Sequence, residues 1–375
     1  MKSISHKIID TIKEVFILYI NARFVRGTGS RLMSAGLVIF FYLASSNVDG
    51  SLAINVSGVS LGGKISSVEI PGFWHLVASV LILTGASWML RTEHQQRKRE
   101  EEESDRKVVL AVQIEGYSNV IQSPVTSSVP PEIKGKRIPI MINVRDALLD
   151  GHRLQDAADD VTNIERTVHQ HGVSHNSADI NICAGGLAPV PFLFMLGNIL
   201  EDHRPIHWAE WDRKGSRWTW SNEGVAVQTW GLPNLGTFAD DEIVLKSGIT
   251  YGIADKEIAQ AFPGLSVIKW EPAKTIFEVI LDEHSCLDIC EEFKTLMRQL
   301  KGQGVKRVHF LLACSTALTM RLGSVLDPRN MPEVIVYQYE KNSNLIYTWG
   351  LGVKVHEGRK SAIVIDRRKT TQSED

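Results

Sequence analysis

Cysteine is scarce in this chain, with four residues at 183, 286, 290 and 314. Their spacing fits neither a zinc site nor a disulfide framework. Cys286 and Cys290 lie one helical turn apart, too few for a metal by themselves, so buried reduced thiols of a cytosolic domain are expected. Charge of one sign is also missing: the formal net charge is −2. That argues against a general nucleic-acid binder, which is usually strongly basic, but leaves room for a local positive pocket around one small anion. No GxGxxG and no GxxxxGK[ST] run occurs, so neither a standard dinucleotide site nor a P-loop is indicated. His169, His171 and His175 cluster at the end of a predicted helix, Leu154–Val168, with no carboxylate or cysteine to complete a metal site.

Two stretches lack charge. Leu32–Ser46 is nearly free of polarity, and Pro71–Leu90 holds His75 but no acidic or basic residue. A bilayer core of ~30 Å needs about 20 helical residues, roughly 17 at the short limit. The second stretch meets this, and the first does so if Gly27–Ser30 or Asn47-Val48 is included. Trp74 and Trp88 sit near the ends of the second, where aromatic belts lie. Arg23, Arg26 and Arg31 precede the first span, and Arg91, Arg97, Lys98 and Arg99 follow the second. The loop between them holds Lys64 against Asp49 and Glu69. The charge bias predicts two spans with both termini cytoplasmic, and a cleaved signal peptide does not fit the long basic lead. The loop alternates apolar and small residues and predicts a hairpin turning at Gly62-Gly63. Neither span carries a carboxylate, lysine or arginine, so no ion relay is indicated. Small residues, among them Ser34, Ala35 and Gly36 in one and Ala78, Ser79, Gly85, Ala86 and Ser87 in the other, suit close helix contact.

Residues 1–30 place Ile4, Ile8, Ile12, Phe16 and Tyr19 at helical spacing, a helix that lies on a membrane surface or packs on the protein itself. Residues 92–107, TEHQQRKREEEESDRK, are highly charged and lack Gly and Pro. They predict a charged helical linker supported by i,i+4 pairs, with a flexible tether as the alternative.

The rest of the chain contains a repeat. Val308–Gly323, VHFLLACSTALTMRLG, is echoed by Ile182–Gly197, ICAGGLAPVPFLFMLG. Each passes from an apolar run through small residues into a helical pattern ending in Leu-Gly, and each is followed by two aromatic strands: Ile206–Trp211 and Arg217–Trp220, then Val334–Tyr339 and Leu345–Trp349. Strand, small-residue loop, helix and strand, found twice, predict two Rossmann-like α/β units side by side. Ligands of open α/β sheets sit beyond the carboxyl ends of the strands, where free helix amides favour an anion. That singles out Gly185, Gly186, Leu187 and Pro189 in one copy and Cys314, Ser315 and Thr316 in the other. Trp211 and Arg213 close the first copy's next strand, where an indole can stack on a base and a guanidinium can pair with phosphate. Tyr337, Tyr339 and Lys341 are their counterparts, and Ser247 ends a strand whose loop is placed to reach the same mouth. His309 reads as core and Arg321 as a surface residue.

At these residues the chain resembles the SAVED domain, two fused CARF-like units of bacterial anti-phage signalling systems (CBASS). The similarity runs from Lys107 to Val355, through AGGLAPVPFLFMLGNIL and VKRVHFLLACSTALTMRLGSVLD. It implies an α/β fold over 108–375, with CARF-like halves at 108–270 and 271–366, after a two-helix transmembrane hairpin at 31–91. It further implies a cyclic oligonucleotide made by a partner nucleotidyltransferase, a cyclic trinucleotide being the expected ring, with no metal or other cofactor. By that resemblance the protein is a multi-pass effector of the bacterial inner membrane: ligand drives homo-oligomer formation and the spans disrupt the bilayer, with no long nucleic acid as partner and no enzyme chemistry. A membrane-anchored nuclease or ring-opening hydrolase, for which His203 and His207 are weak candidates, and a constitutive membrane scaffold are the alternatives.

Overall fold

The computed structural model describes residues 36–37, 51–56, 59–64, 72–117, 123–149, 153–201, 206–236, 238, 240–341, 346–356 and 359–367. The chain divides into two compact units, Met1–Glu102 and Glu103–Asp375.

In the first unit β1 (Ser51–Val56) and β2 (Val59–Lys64) form an antiparallel hairpin. Ala53 lies opposite Gly62 and Leu52 opposite Gly63, so the chain turns between Val56 and Val59 and the two glycines sit inside β2. The apolar and small alternation did foretell a hairpin, but the Gly-Gly pair does not mark its turn. Helix α1 (Gly72–Arg106) joins the second uncharged stretch to the charged connector in a single element. Its pair Arg97–Glu93 runs acid first, as does Glu103 with Lys107 just beyond the helix end, the favourable order on a helix. Gly36 is helical and buried; a Cβ there would lie 2.9 Å from the Ala78 carbonyl and 2.8 Å from Ile82. Small residues thus let the two apolar stretches touch backbone to backbone. Among the described residues no helix is long and apolar enough to cross a membrane. Apart from residues 36–37, the first expected span lies outside the described residues, as does the segment 1–30.

The second unit carries two sheets. In the first, β3 (Val108–Glu115), β4 (Lys136–Asn143), β5 (Ile180–Leu187), β6 (Ile206–Asp212) and β7 (Arg217–Trp220) take the order β4-β3-β5-β6-β7, parallel except for β7. The second holds β8 (Glu242–Gly248), β9 (Ser266–Lys269), β10 (Arg307–Ala313), β11 (Glu333–Tyr337), β12 (Trp349–His356) and β13 (Arg359–Asp366). Its order, β9-β8-β10-β11-β12-β13, repeats the first with one strand added. A boundary between halves at residue 270 does not survive this: β8 and β9 pair beside β10, so the second half begins between Trp220 and Glu242. Central strands buried on both faces read as continuous apolar runs, and Val108–Ile114 is fully buried for that reason. The expected helix over 154–168 is split into Leu154–Thr162 and Ile164–Ser174, hinged at Asn163.

Each repeated small-residue loop opens a helix, α6 (Val190–Leu200) after β5 and α9 (Thr316–Ser324) after β10, the other helices taking α2–α5 and α7–α8 in chain order. The two helices cross at the repeated Leu-Gly. A Cβ on Gly197 would lie 1.8 Å from the Met320 carbonyl oxygen, and one on Gly323 would lie 1.9 Å from that of Phe194. Phe194 and Gly197 on one helix therefore meet Met320 and Gly323 on the other in the same way from both sides. The glycines are there because backbone meets backbone. This crossing puts the two helix starts, and the strand ends that feed them, around one seam.

Candidate functional site at the seam between the sheets

At the carboxyl ends of the strands an open cleft of about 670 Å³, solvent at its mouth included, draws its walls from both halves. Leu187 ends β5 and the run Glu210 to Lys214 ends β6. From the second half come Cys314, Ser315 and Thr316, then Thr250 and Tyr251, and the segment Phe277 to Ile280. Local bonds hold these loops: the Ile249 and Thr250 N–H groups both donate to the Ala313 carbonyl at 2.9 Å, and the Ile276 N–H donates to the Ile249 carbonyl at 2.7 Å. Gly248 makes that turn possible, since a Cβ would sit 2.7 Å from the Tyr251 carbonyl.

The helix amides expected to receive an anion already hold one. Glu210 accepts from the Thr316 hydroxyl at 2.8 Å, the Ala317 N–H at 2.8 Å and the Thr316 N–H at 3.3 Å. Ser315 caps α9 from within, its hydroxyl accepting from the Leu318 N–H. A carboxylate at a helix start is favourable on its own account, by bond and by dipole. Lys214 pairs with Glu278 at 3.0 Å, while Arg213 makes no ion pair among the described residues. Glu278 has φ of 53°, a conformation rare for its residue type.

Of the residues singled out from sequence, Leu187, Trp211, Arg213, Cys314, Ser315 and Thr316 line this cleft together. Trp211 does so only as a wall: it is 7% exposed, packed edge-on against Trp218 at 5.1 Å. The exposed aromatics are Tyr251 and Phe277, in contact at 5.1 Å. Sequence reading missed both. The loop after Ser247 hinted at Tyr251, whereas Phe277 stands in a stretch without periodicity and gave no signal.

The remaining candidates lie elsewhere. Gly185 and Gly186 serve packing: a Cβ on the second would meet Ile114 at 2.3 Å, and one on the first would crowd Ala209, Trp218 and Val125. Ser247 is buried and donates to the Trp270 carbonyl at 2.7 Å. Tyr337 turns into the core, its hydroxyl 3.0 Å from His309 Nδ1, while His309 Nε2 faces Glu242 at 3.0 Å. Burial pushes the Tyr337 phenol up to about 12. Tyr339 is exposed and contacts Tyr347, and Lys341 is exposed. Pro189 lines a second cavity with Tyr117, Gln338, Glu340 and Trp349.

Arg321 is not a surface residue. It is 6% exposed and grips both oxygens of Glu283, at 2.9 Å for one of them. Burial raises the Glu283 carboxyl, but Arg321 and Ser221 outweigh it and the net shift is downward. His207 sits near this pair, and burial lowers its basicity. His203 falls outside the described residues. None of the cleft's lining residues is a histidine, and among the described residues no group of three metal-ligating side chains occurs. All four cysteines are free, and burial pushes the Cys183 and Cys290 thiols up to about 12, so they behave as inert core groups.

Paired Rossmann-like sheets around one seam cleft define the class. Residues 162–353 match SAVED, the SMODS-associated and fused to various effectors sensor domain, and this chain belongs to that family. Within it, residues 6–158 match the SAVED-fused 2TM effector domain, so a two-transmembrane effector domain precedes the sensor. That match runs on through β3 and β4, which pair within the sensor's first sheet. Similar solved structures include the Acinetobacter baumannii Cap4 SAVED/CARF-domain receptor with the cyclic trinucleotide 3'3'3'-cAAA, at 10% identity and a TM-score of 0.43, covering 72% of this chain and 57% of that one. The same receptor with 2'3'3'-cAAA matches at 8% identity and 0.42, again covering 72% and 57%. The Moraxella osloensis Cap4 receptor matches at 10% and 0.41, covering 72% and 56%. The match thus spans less than two-thirds of those receptors' length. No curated protein matches.

Proposed function

We propose that this protein is a cyclic-oligonucleotide sensor whose ligand controls a membrane effector in anti-phage defence. The observation that carries the reading is the seam cleft: Arg213 and Lys214 from the first half and the α9 amides and the Tyr251–Phe277 pair from the second converge on one space. Phosphates suit the amides and the two cations and bases suit the aromatic pair, since every base offers a π-face to an aromatic side chain. The cleft lies in a SAVED domain fused to a 2TM effector domain, and related Cap4 receptors are described with cyclic trinucleotides. In this reading the ligand is a cyclic trinucleotide, supplied by a partner nucleotidyltransferase of the CBASS type.

Val80, Leu83, Trp88 and Leu90 stand exposed on α1, an apolar surface that suits lipid. In this reading two spans enter the bacterial inner membrane with both termini cytoplasmic, ligand-bound sensors assemble into homo-oligomers, and the clustered spans breach the bilayer. Ligand switches the system only through its differential affinity for the assembled state; moving from mostly off to mostly on takes ~5 kcal/mol, within reach of a ring with several phosphates. The action is binding rather than turnover.

The test uses full-length protein in liposomes loaded with a self-quenched dye. Cyclic di-, tri- and tetranucleotides are added, and leakage, oligomer size and ligand integrity are followed. Leakage that depends on an intact cyclic trinucleotide supports the proposal. Ligand consumption would instead favour a nuclease or ring-opening hydrolase, and no response to any ring would leave a scaffold.

A further inference from the structure

The donors in this cleft are not waiting for a ligand. Glu210, on β6 of the first half, takes up the first amides of α9 in the second half. Glu278, on the second half's connecting segment, takes up Lys214 on the first half's β6–β7 turn. Each contact crosses the seam, and both carboxylates line the cleft itself. Glu278 reaches Lys214 from a backbone conformation that disfavours glutamate, so the pairing holds a strained residue in place.

We infer that Glu210 and Glu278 are internal competitors for the ligand's phosphates and thereby set what the cleft accepts. The inference rests on the cleft being the oligonucleotide site proposed above. A phosphate arriving at α9 must replace one charge-assisted set of bonds with another of the same kind, so a single phosphate gains little. It also meets the repulsion of any carboxylate that stays. A ring that presents phosphates to α9 and to Lys214 at once makes its second exchange within one complex, where effective concentration is high. Arg213, unpaired among the described residues, offers the first contact. Mononucleotides and inorganic phosphates are thus refused, and a ring with two or more suitably spaced phosphates is admitted.

The test compares full-length wild type, E210Q, E278Q and the double variant in detergent by thermal shift and calorimetry. The probes are inorganic pyrophosphate, AMP, 3'3'3'-cAAA and 2'3'3'-cAAA. Wild type is expected to ignore pyrophosphate and AMP. Removing the exposed pair through E278Q should tighten trinucleotide binding about three-fold, and E210Q about ten-fold. The double variant should be stabilised by pyrophosphate. If well-folded variants bind the ring no tighter than wild type and stay blind to pyrophosphate, the carboxylates are struts and the inference falls while the sensor reading stands. If neither trinucleotide binds any form, pyrophosphate stabilising only the variants upholds the competition and counts against these rings as ligands. A flat pyrophosphate response as well would overturn the inference. Should E210Q fold poorly, E278Q, with its side chain at the surface, carries the comparison.

Discussion

The two halves of the sensor start from the same plan and end with unlike mouths. In the first sheet Ile206 lies opposite Ile182, and in the second Val334 lies opposite Val308. Four residues on from each stand Glu210 and Gln338, structural counterparts. Glu210 grips the start of α9. Gln338 lines a cavity with Pro189 at the start of α6, its side-chain oxygen buried without a hydrogen-bond partner among the described residues. The α6 mouth offers an anion few donors: Pro189 and Pro191 have no N–H, and the Phe192 and Leu193 N–H groups turn back on the Pro189 carbonyl. Among the described residues the start of α9 thus holds a carboxylate, while the corresponding start of α6 is built on two prolines.

The comparison breaks first at the crossing, the one place where the halves should respond alike. Gly197→Val and Gly323→Val each force a side chain into a facing carbonyl. Each is expected to cost about 3 kcal/mol or more, read by urea unfolding. A large difference between them would show that the crossing is not shared evenly. The mouths, by contrast, should respond unequally. Arg213→Ala is expected to weaken cyclic-trinucleotide binding about thirty-fold, the scale of a charge-assisted contact to phosphate. Its counterpart change, Lys341→Ala, should leave titrations unchanged, and equal losses would make both mouths functional. The aromatic lip gives a smaller contrast: Tyr251→Ala or Phe277→Ala should lose about five- to ten-fold in affinity, while Tyr339→Ala should lose none.

The smallest effect is set by pH. Burial lowers the basicity of His207 in the first half and of His309 in the second. A base depressed in the folded state binds fewer protons there than when unfolded. The stability it permits is complete above its ordinary value of about 6.5 and is lost as pH falls through that value towards the depressed one. Melting temperature should therefore drop by a few degrees between pH 7.5 and 5.5. H309Q should flatten part of the decline, and a curve that rises on acidification would contradict the assignment.

Much of this plan was legible from the chain. The Leu-Gly echo located both crossing helices, because glycine is kept where two backbones touch, and Cys314-Ser315-Thr316 marked the helix start that lines the cleft. Apolar and aromatic runs located Ile206–Trp211, Arg217–Trp220 and Val334–Tyr337, but the strand expected over Leu345–Trp349 instead begins at Trp349 and runs to His356. The half boundary was missed because β8 and β9 follow the first half in sequence but pair across to β10, a choice made by sheet order that no local pattern records. Trp211 and Tyr337 were read as base platforms from their place at strand ends; which face a terminal aromatic takes depends on packing against Trp218 and His309. Arg321 looked like a surface charge because its partner, Glu283, opens another helix far back in the chain.

One junction has a mechanical side. Helix α1 ends at Arg106 and β3 begins at Val108, leaving Lys107 as the only residue between a long rod and a central strand of the sheet. Its carbonyl accepts from the Lys136 N–H at 2.9 Å, and Arg106 is tied to Asp179 at 3.0 Å. A splice this short has no slack to absorb a twist. A few glycines inserted at that joint would free the helix end from its hold on Lys136 and Asp179.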